Sequence, residues 1–513
     1  MKQRLNILMV LLIILLVNVG TACNIAPELP PSVAVSGISL NYSESEIFLG
    51  GSLQLTATIS PSDVTNRNIS WSSSDSTIAS ISDSGLASAK GVGTVLLTAT
   101  SEDGGFTDSC QLCVHKNIAA TDAVSEDYFG TSSAIYGDFA FVGVPGDDET
   151  ALNKVGSVYI YQRNQGGENT WGFKKRIIAS DFSESAQFGK SVAADGDVLV
   201  VGAFGDSGFI GAAYVFYRDQ GGPDNWGQVA KLSASDGAAS DFFGRDVSVS
   251  GNYAIIGAYG NDDVASSSGS AYIFYKDQGG IDAWGQLKKL AADTPALNDM
   301  FGLGVSISGN YAAVAARNDD EAGSNAGAVY IFYRNAAATE NSWGRVAQLT
   351  AEADAVANLM FGGGVAISGD DLIVSAGQDS TDGLRSGAAY IFNRNQGSAD
   401  NWGRVTRITA SDGADNDDFG WPLVISGDYA VVGVYGADVE GKTNAGAAYV
   451  YFRNQGGANN WGEKQKLVAI SPEQEDWFSS SLGFYNNTVM VGVSHEDSGT
   501  VLDTGSVYLF SIY

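Results

Sequence analysis

The sequence predicts an all-β protein, in which a small immunoglobulin-like β-sandwich precedes a seven-bladed β-propeller closed by its N-terminal strand. Three observations lead to this fold class. A unit of about 58 residues recurs to the end of the chain, each unit contains four short apolar strands, and the last unit stops before its fourth strand. Four-stranded units that repeat around an axis are the blades of a propeller.

Two aromatic pairs mark the repeat. A Phe-Gly pair occurs at Phe129, Phe188, Phe243, Phe301, Phe361 and Phe419, with Phe478 in a degenerate seventh copy. A Trp-Gly pair follows at Trp171, Trp226, Trp284, Trp343, Trp402 and Trp461. We predict that each Phe fills the wedge between adjacent blades and that its Gly lets the backbone turn into the inner strand. The tryptophans are expected to pack in the same way; the alternative for a few of them is a sugar-binding platform.

The third unit shows the predicted strands, at residues 247–250, 253–258, 270–275 and 284–290. The first two strands of a unit are joined by Ser-Gly-Asn or Ser-Gly-Asp, which is short enough only for a tight hairpin. Glycines in the turn between the third and fourth strands supply the positive φ that such reversals need.

The end of the chain predicts how the ring closes. The seventh unit stops at Tyr513, so its fourth strand must come from elsewhere. The segment from Ile118 to Asp122 precedes the first Phe-Gly pair, and Asp122 lies seven residues before Phe129, as Asp236 does before Phe243. We predict that this N-terminal segment completes the last blade and removes an open sheet edge.

Charge limits the partners of the protein. Asp and Glu number 58 against 28 Lys and Arg, which gives a net charge of −30. This charge excludes nucleic acid and anionic membrane surfaces as partners, and leaves cationic ligands and metal ions open. The sequence contains no nucleophile elbow, phosphate loop or metal-binding His cluster, so we expect no catalysis.

The first 22 residues have the layout of an export signal, with Lys2 and Arg4 before an apolar run and small residues before Cys23. The segment Gly20-Thr-Ala-Cys23 resembles the lipobox of bacterial lipoproteins. The resemblance implies acylation of Cys23 and a lipid-anchored protein of the bacterial envelope, at the outer membrane or cell surface; the alternative is an ordinary signal peptide cut nearby. Residues 23–32 then form a short proline-containing tether.

Residues 33–115 alternate as strands of a small β-sandwich. The elements Trp71-Ser-Ser-Ser74, Gly85-Leu86 and Gly93-Thr94 resemble the bacterial immunoglobulin-like domain, group 2. The resemblance implies a spacer of the kind found in bacterial surface and adhesion proteins.

Cys110 and Cys113 are predicted to be ordinary strand residues. A straight strand places residues three apart on opposite faces, too far apart for a disulfide. Zinc is disfavoured because the only histidines are His115 and His495. A disulfide across a local turn is the alternative.

The repeats at 116–513 resemble the FG-GAP family, which also forms the propeller of integrin α chains. The resemblance rests on Phe129-Gly130 and its later copies, on strand ends such as Gly-Ala-Tyr-Gly and on segments such as Ala-Tyr-Ile-Phe. Calcium-binding members carry an Asp-rich loop between the first two strands, where this chain has only the bare Ser-Gly-Asp turn. The integrin calcium sites are therefore not expected here.

Topology places two sets of charged side chains on opposite faces of the disc. Acidic loops on one face suggest weak binding of divalent cations, and otherwise no cofactor, with candidate ligands at Asp147, Asp148, Asp262, Asp263, Asp319 and Asp320. The alternative is that these aspartates cap turns and maintain solubility. The other face is predicted to carry a basic ring of Arg163, Arg218, Lys276, Arg334, Arg394 and Arg453. Such a ring suits sulfated or carboxylated glycans, or is a folding signature that recurs once per blade.

We expect a monomeric binding or adhesion module that presents the propeller to an extracellular protein or glycan and meets the membrane only through its lipid anchor. One alternative is a polysaccharide-active enzyme that uses the acidic loops. The other is a structural spacer of the envelope.

Overall fold

The computed structural model describes residues 32–120, 122–165, 167, 169–336 and 341–512. Strands dominate these residues, and the helical elements among them are single turns at Asp206–Phe209 and Glu352–Asp354. The predicted all-β class, with a sandwich followed by seven four-stranded units, is confirmed. The predicted leader, the acylation site at Cys23 and nearly all of the tether lie outside the described residues.

The N-terminal domain contains nine strands. They are β1 (Gly37–Leu40), β2 (Glu44–Phe48), β3 (Ser52–Gln54), β4 (Ala57–Ser60), β5 (Ile69–Ser73), β6 (Ala79–Ile81), β7 (Leu86–Ala89), β8 (Gly93–Ser101) and β9 (Thr107–Ile118). β9 pairs antiparallel with β8 and parallel with β2, while β3, β7 and β6 form a separate small sheet. A core that includes Leu55, Leu97 and Leu112 lies between these layers.

The propeller strands follow in order, four to a blade. The first three blades are β10 (Ser132–Tyr136), β11 (Phe139–Val144), β12 (Ser157–Arg163) and β13 (Trp171–Ile177); β14 (Ser191–Asp195), β15 (Val198–Ala203), β16 (Ala212–Tyr217) and β17 (Gly227–Leu232); and β18 (Val247–Ser250), β19 (Tyr253–Ala258), β20 (Ser270–Tyr275) and β21 (Gly285–Leu290). The next three are β22 (Phe301–Ser308), β23 (Tyr311–Ala316), β24 (Ala328–Tyr333) and β25 (Gly344–Leu349); β26 (Val365–Ser368), β27 (Asp371–Ala376), β28 (Ala388–Asn393) and β29 (Gly403–Ile408); and β30 (Leu423–Ser426), β31 (Tyr429–Val434), β32 (Ala447–Phe452) and β33 (Gly462–Leu467). The seventh contains β34 (Phe478–Tyr485), β35 (Thr488–Val493) and β36 (Ser506–Ser511).

The seven blades form a closed ring. The first strand of each blade contacts the first strand of the next, and β34 contacts β10. The first strands therefore line the central channel. Across the seam, the Ser481 hydroxyl donates to the Gly130 carbonyl at 2.8 Å, and Phe129 shares a core with Val507 and Leu509.

The fourth strand of the last blade comes from the N-terminal side, as predicted. β9 continues out of the immunoglobulin-like domain and pairs antiparallel with β36, with Ile118 opposite Val507 and Lys116 opposite Leu509. The pairing segment lies slightly earlier than predicted, because within 118–122 only Ile118 pairs with β36. One strand therefore belongs to both domains.

The Phe-Gly pairs lie at the junctions between blades. All seven phenylalanines are buried. Phe301 packs on Tyr330 of its own blade and shares a core with Ile255 and Ile273 of the preceding blade. The backbone of Phe301 also bridges to Gly269, and five of the other Phe residues make the same bridge with the preceding blade. Five of the six predicted tryptophans are fully buried, and Trp284 is half-buried.

The two faces of the disc are defined by their connections. The loop face carries the connections between second and third strands and between blades; the turn face carries the two-residue hairpins and the turns between third and fourth strands. Because β9 runs antiparallel to β36, it enters the seventh blade from the turn face. Contacts agree with this direction: Thr94 lies 3.0 Å from the Ser511 hydroxyl, and Asn169 in a turn-face loop donates to Thr77 at 3.0 Å. The immunoglobulin-like domain thus lies on the turn-face side.

The two cysteines are free and buried within β9. Cys110 faces the sandwich core, whereas Cys113 lies 3.5 Å from the Thr94 hydroxyl on the other side of the strand. The interpretation as ordinary strand residues is confirmed. Burial raises the pKa of Cys113 to about 11, which keeps this thiol protonated and unreactive.

Candidate functional site at the centre of the loop face

The acidic residues of the loop face are held by partners within the protein. Asp147 accepts from the Arg176 guanidinium at 2.8 Å, Asp263 pairs with Lys289, and Asp319 accepts from the Tyr330 hydroxyl at 2.6 Å. In these cases the basic or phenolic partner comes from the third or fourth strand of the same blade. The carboxylates therefore support their own blades.

The three other candidate cation ligands lie in the same loops. Asp148 accepts from the Lys154 amide at 2.8 Å and Asp320 from the Asn325 amide at 2.6 Å, while Asp262 is exposed. Within the described part of the chain, no group of three or more His, Cys, Asp or Glu residues is arranged to hold a metal ion. The arrangement agrees with the turn-capping interpretation of these aspartates.

A second set of aspartates precedes the Phe-Gly pairs and closes a tight loop. In each case the carboxylate accepts a hydrogen bond from the backbone amide three residues earlier, at 2.7–2.9 Å, as found for Asp127, Asp241, Asp299, Asp417 and Asp476. Burial raises the pKa of Asp127 to about 6 and raises the pKa of Asp299, Asp417 and Asp476. These groups stabilise the entry into each inner strand.

The predicted basic ring of the turn face is not a free positive surface, because its cations have partners within the protein. Arg218 lies 2.9 Å from Asp197, Arg394 lies 2.9 Å from Asp370, and Arg453 lies 2.7 Å from Asp428. These aspartates end the Gly-Asp hairpins, which antiparallel pairing of the second and third strands brings beside the cations. Arg163 pairs with the equivalent Asp138, Lys276 pairs with Asp282 in the turn between the third and fourth strands, and Arg334 lies over the Tyr253 ring.

A cavity of about 820 Å³ opens at the centre of the loop face. Three positions of the repeat supply most of its wall. They are the residue before Phe-Gly, the residues just after Phe-Gly, and the end of the second strand with the loop that follows. These positions surround the channel because the first strands line it and the Phe-Gly pair directs the backbone into them.

Besides Lys154, which pairs with Glu126, three cations line this cavity, namely Lys190, Arg245 and Arg317. Among the described residues, no carboxylate oxygen lies within 4.0 Å of a side-chain nitrogen of these three residues, so none of the three forms an ion pair there. The Nε of Arg317 is buried and has no hydrogen-bond partner there. Burial and the nearby Arg245 lower the pKa of Lys190 to about 8. Unpaired cations are unusual in a chain with twice as many acids as bases.

Aromatic rings form the opposite part of the wall. The Trp477 ring lies 4.1 Å from that of His495 and 6.0 Å from that of Tyr435, and 39% of the Trp477 side chain is exposed. Tyr128 lies 5.2 Å from His495, and Trp421 also lines the cavity. Burial lowers the pKa of His495, so this ring is mainly neutral at pH 7.

Hydroxyl groups and one carboxylate complete the site. Ser132, Ser191, Ser480 and Ser494 line the cavity, and Asp246 lies beside Arg245. Burial raises the pKa of Asp246 to about 6. A recess of about 90 Å³ extends towards the fifth blade, where Gly363 and Gly377 leave space next to Arg317. The site combines cations, flat rings and hydrogen-bonding groups, and is therefore suited to an anionic ligand with rings.

Sequence reasoning missed this site because it concentrated on features that recur in every repeat. The signal was present in the residue that follows each pair, which differs between repeats: Thr131, Lys190, Arg245, Leu303, Gly363, Trp421 and, in the degenerate copy, Ser480. Variation directly beside an otherwise regular motif marks positions that packing does not fix.

Comparison with protein families agrees with this geometry. The FG-GAP repeat model matches seven segments, at residues 115–161, 171–216, 226–274, 284–332, 343–392, 402–451 and 461–510. The chain belongs to the FG-GAP repeat family. Each matched segment begins in the fourth strand of one blade and ends in the third strand of the next, so the first segment includes the closing strand. The bacterial Ig-like domain (group 2) model matches residues 34–112. The predicted resemblances to these two families are confirmed, and the combination suggests a surface or adhesion-type module.

Curated relatives match only short parts of the chain. An alpha-L-arabinofuranosidase of Bifidobacterium longum is 34% identical over 18% of this chain and 9% of its own length, within the immunoglobulin-like part. An Ig-like virion protein of Serratia phage KSP90 is 34% identical over 16% of this chain and 32% of its own length. The chain thus spans less than a third of either relative. The crystal structure of Sqt1 from Chaetomium thermophilum is similar over 74% of this chain and 85% of its own, with a TM-score of 0.42 and 13% identity.

Among the residues that the structure describes, no helix is both long and apolar enough to span a membrane.

Proposed function

We propose that this protein is a surface-exposed binding module of the bacterial envelope that recognises an extracellular ligand on the loop face of its propeller. Its immunoglobulin-like domain serves as the stalk. Both domain types are typical of non-catalytic binding modules. Immunoglobulin-like and virion relatives support an extracellular location. A lipid anchor at Cys23, as the lipobox resemblance implies, would attach the stalk to the membrane.

The position of the stalk is the observation that carries this proposal. Because β9 enters the seventh blade from the turn face, the immunoglobulin-like domain covers part of that side and leaves the loop face clear. A protein held at its N-terminus would therefore direct the loop face away from the attachment surface.

The distribution of exposed apolar side chains favours the same face. Most such side chains of the propeller lie in loop-face connections: Val124, Phe209, Val264, Leu297, Val356, Leu384, Ile470, Trp477, Val501 and Leu502. The turn face contributes Ile281. Exposed apolar side chains concentrated on one side of a soluble domain are typical of an interaction surface.

Selective blocking of one face tests this function. Val264→Cys and Ile281→Cys, at sites 68% and 93% exposed on the loop and turn faces, are each labelled with a polyethylene glycol maleimide. The protein is then applied to glycan arrays and to extracellular matrix proteins. We expect the loop-face label to lower binding about tenfold or more, and the turn-face label to have little effect.

The unsubstituted protein, treated with the same maleimide, is the control. Its buried Cys110 and Cys113 will not react, and any label on Cys23 is common to all samples. Equal effects of the two labels, or no binding to any array or matrix protein, would contradict a recognition role for the loop face.

A further inference from the structure

We propose that the central cavity binds a short saccharide that carries carboxylate or sulfate groups. This inference rests on the proposed function and specifies the ligand of the loop face. The anionic group would pair with Lys190, Arg245 and Arg317, and the sugar rings would lie against Trp421 and Trp477.

The three cations are the first reason. Among the described residues, none of the three forms an ion pair, and Asp246 beside Arg245 is the carboxylate that lines the cavity with them. The buried Nε of Arg317 lacks an acceptor as well. A carboxylate or sulfate satisfies such donors, and a guanidinium offers it a planar pair of N–H groups.

The aromatic and hydroxyl groups are the second reason. A sugar presents C–H groups on its ring faces and hydroxyls at its edge, so it needs both flat apolar surfaces and hydrogen-bonding partners. The exposed part of Trp477, together with Trp421, supplies the surface. The hydroxyls of Ser132 and Ser191 donate to the carbonyls of Gly189 and Gly244, so their oxygens can accept hydrogen bonds from sugar hydroxyls. An acidic peptide would use the cations but has less need of the rings.

The size and charge of the molecule limit the length of the ligand. A cavity of about 820 Å³ has the volume of common small-ligand sites. The net charge of −30 repels a long polyanion, whereas salt screens the distant carboxylates from a ligand inside the cavity, over a Debye length of about 8 Å. We therefore expect an oligosaccharide of a few rings, or the acidic end of a glycan chain.

Calorimetric titration of the full protein tests this proposal. The probes are digalacturonate, a sulfated disaccharide, the uncharged digalactose, and a hexaglutamate peptide. We expect at least one of the two anionic saccharides to bind, and digalactose to bind about tenfold more weakly or not at all. Failure of both anionic saccharides, equal binding of digalactose, or binding of the peptide alone would each overturn the proposal.

Variants of the cavity locate the site. Arg317→Gln and Lys190→Met should each weaken binding about tenfold, whereas Lys288→Met, which removes an exposed lysine from β21, should leave it unchanged. The melting temperature of each variant is measured in parallel. Lys190→Met should melt at least as high as the parent because it removes a partly buried charge that forms no ion pair among the described residues. An equal loss in Lys288→Met would overturn the assignment of the site.

The pH profile gives a readout that a structural role would not produce. The titratable and charged groups of the cavity wall are Tyr128, Lys154, Lys190, Arg245, Asp246, Arg317, Tyr435 and His495. Lys190 loses its charge as pH rises through about 8, so affinity for the anion should fall there. Asp246 loses its negative charge below about 6, where affinity should rise. In Lys190→Met the loss of affinity near pH 8 should be absent, and a profile unchanged by this substitution would overturn the role of Lys190.

The face-labelling experiment separates this proposal from the function on which it rests. If the loop face binds a neutral glycan or a protein but neither anionic saccharide, the proposal of an acidic saccharide ligand is overturned and the proposed function stands. Absence of any loop-face binding overturns both.

Discussion

A shortened chain that begins at Ala123 will not form a stable propeller, whereas one that begins at Val114 will. The first lacks Lys116–Ile118, the strand that completes the seventh blade. It therefore exposes the edge of β36 and removes Ile118 from the core that joins the first and last blades. The second chain retains the closing strand and loses only the immunoglobulin-like domain and the first part of β9. An open edge in a ring of four-stranded sheets favours aggregation over folding.

Size-exclusion chromatography and thermal melting followed by circular dichroism will distinguish the two chains. The chain from Val114 should elute as a compact species and unfold in one cooperative transition. The chain from Ala123 should aggregate or melt without cooperativity. Equal melting temperatures for the two would mean that the ring does not depend on its borrowed strand.

Gly302→Ala will destabilise the propeller much more than Gly309→Ala. Both glycines belong to the fourth blade and have positive φ, at +87° and +57°. A Cβ at Gly302 would lie 2.2 Å from the Ser270 carbonyl oxygen of the preceding blade, whereas a Cβ at Gly309 would meet nothing within 4 Å. We expect a loss of about 3–5 kcal/mol at Gly302, from backbone strain plus a clash that the packed junction cannot relieve, and about 1 kcal/mol at Gly309.

Urea denaturation of the two variants measures this difference in the free energy of unfolding. Gly309→Ala is the matched control, since it shares the conformational cost and lacks the steric one. Equal losses in the free energy of unfolding would show that Gly302 is needed only for its own backbone conformation and not for the close approach of adjacent blades.

The architecture was predictable because it depends on features that every repeat contains. The spacing of the Phe-Gly pairs and the alternation within a unit specify the blade, and the pairing of β9 with β36 follows the predicted closure by an N-terminal segment. The register of closure was harder to predict, because the pairing residues Lys116 and Asn117 are polar and do not resemble the apolar strands of the other blades. Only the pairing of Ile118 with Val507 fixes the register. The sequence pattern within each repeat therefore predicts the blades, whereas the strand that closes the seventh blade is identified only by its pairing in the folded protein.

The charged faces were harder to predict because sequence position does not reveal partners. Arg218 and Asp197 are far apart in the chain and lie opposite each other only once the second and third strands pair. Similarly, Lys190 and Arg245 follow Phe-Gly pairs, whereas Arg317 directly follows the second strand of the fourth blade. Their convergence requires a closed ring with a common axis, which no single repeat contains.

A crystal structure of the protein soaked with the anionic saccharide that binds in solution will decide whether the centre of the loop face is the recognition site. We expect electron density for the saccharide in the central cavity, with its carboxylate or sulfate within ion-pair distance of Lys190, Arg245 or Arg317 and a ring against Trp421 or Trp477. Density on the turn face or the outer strands, with the central cavity empty, would contradict it.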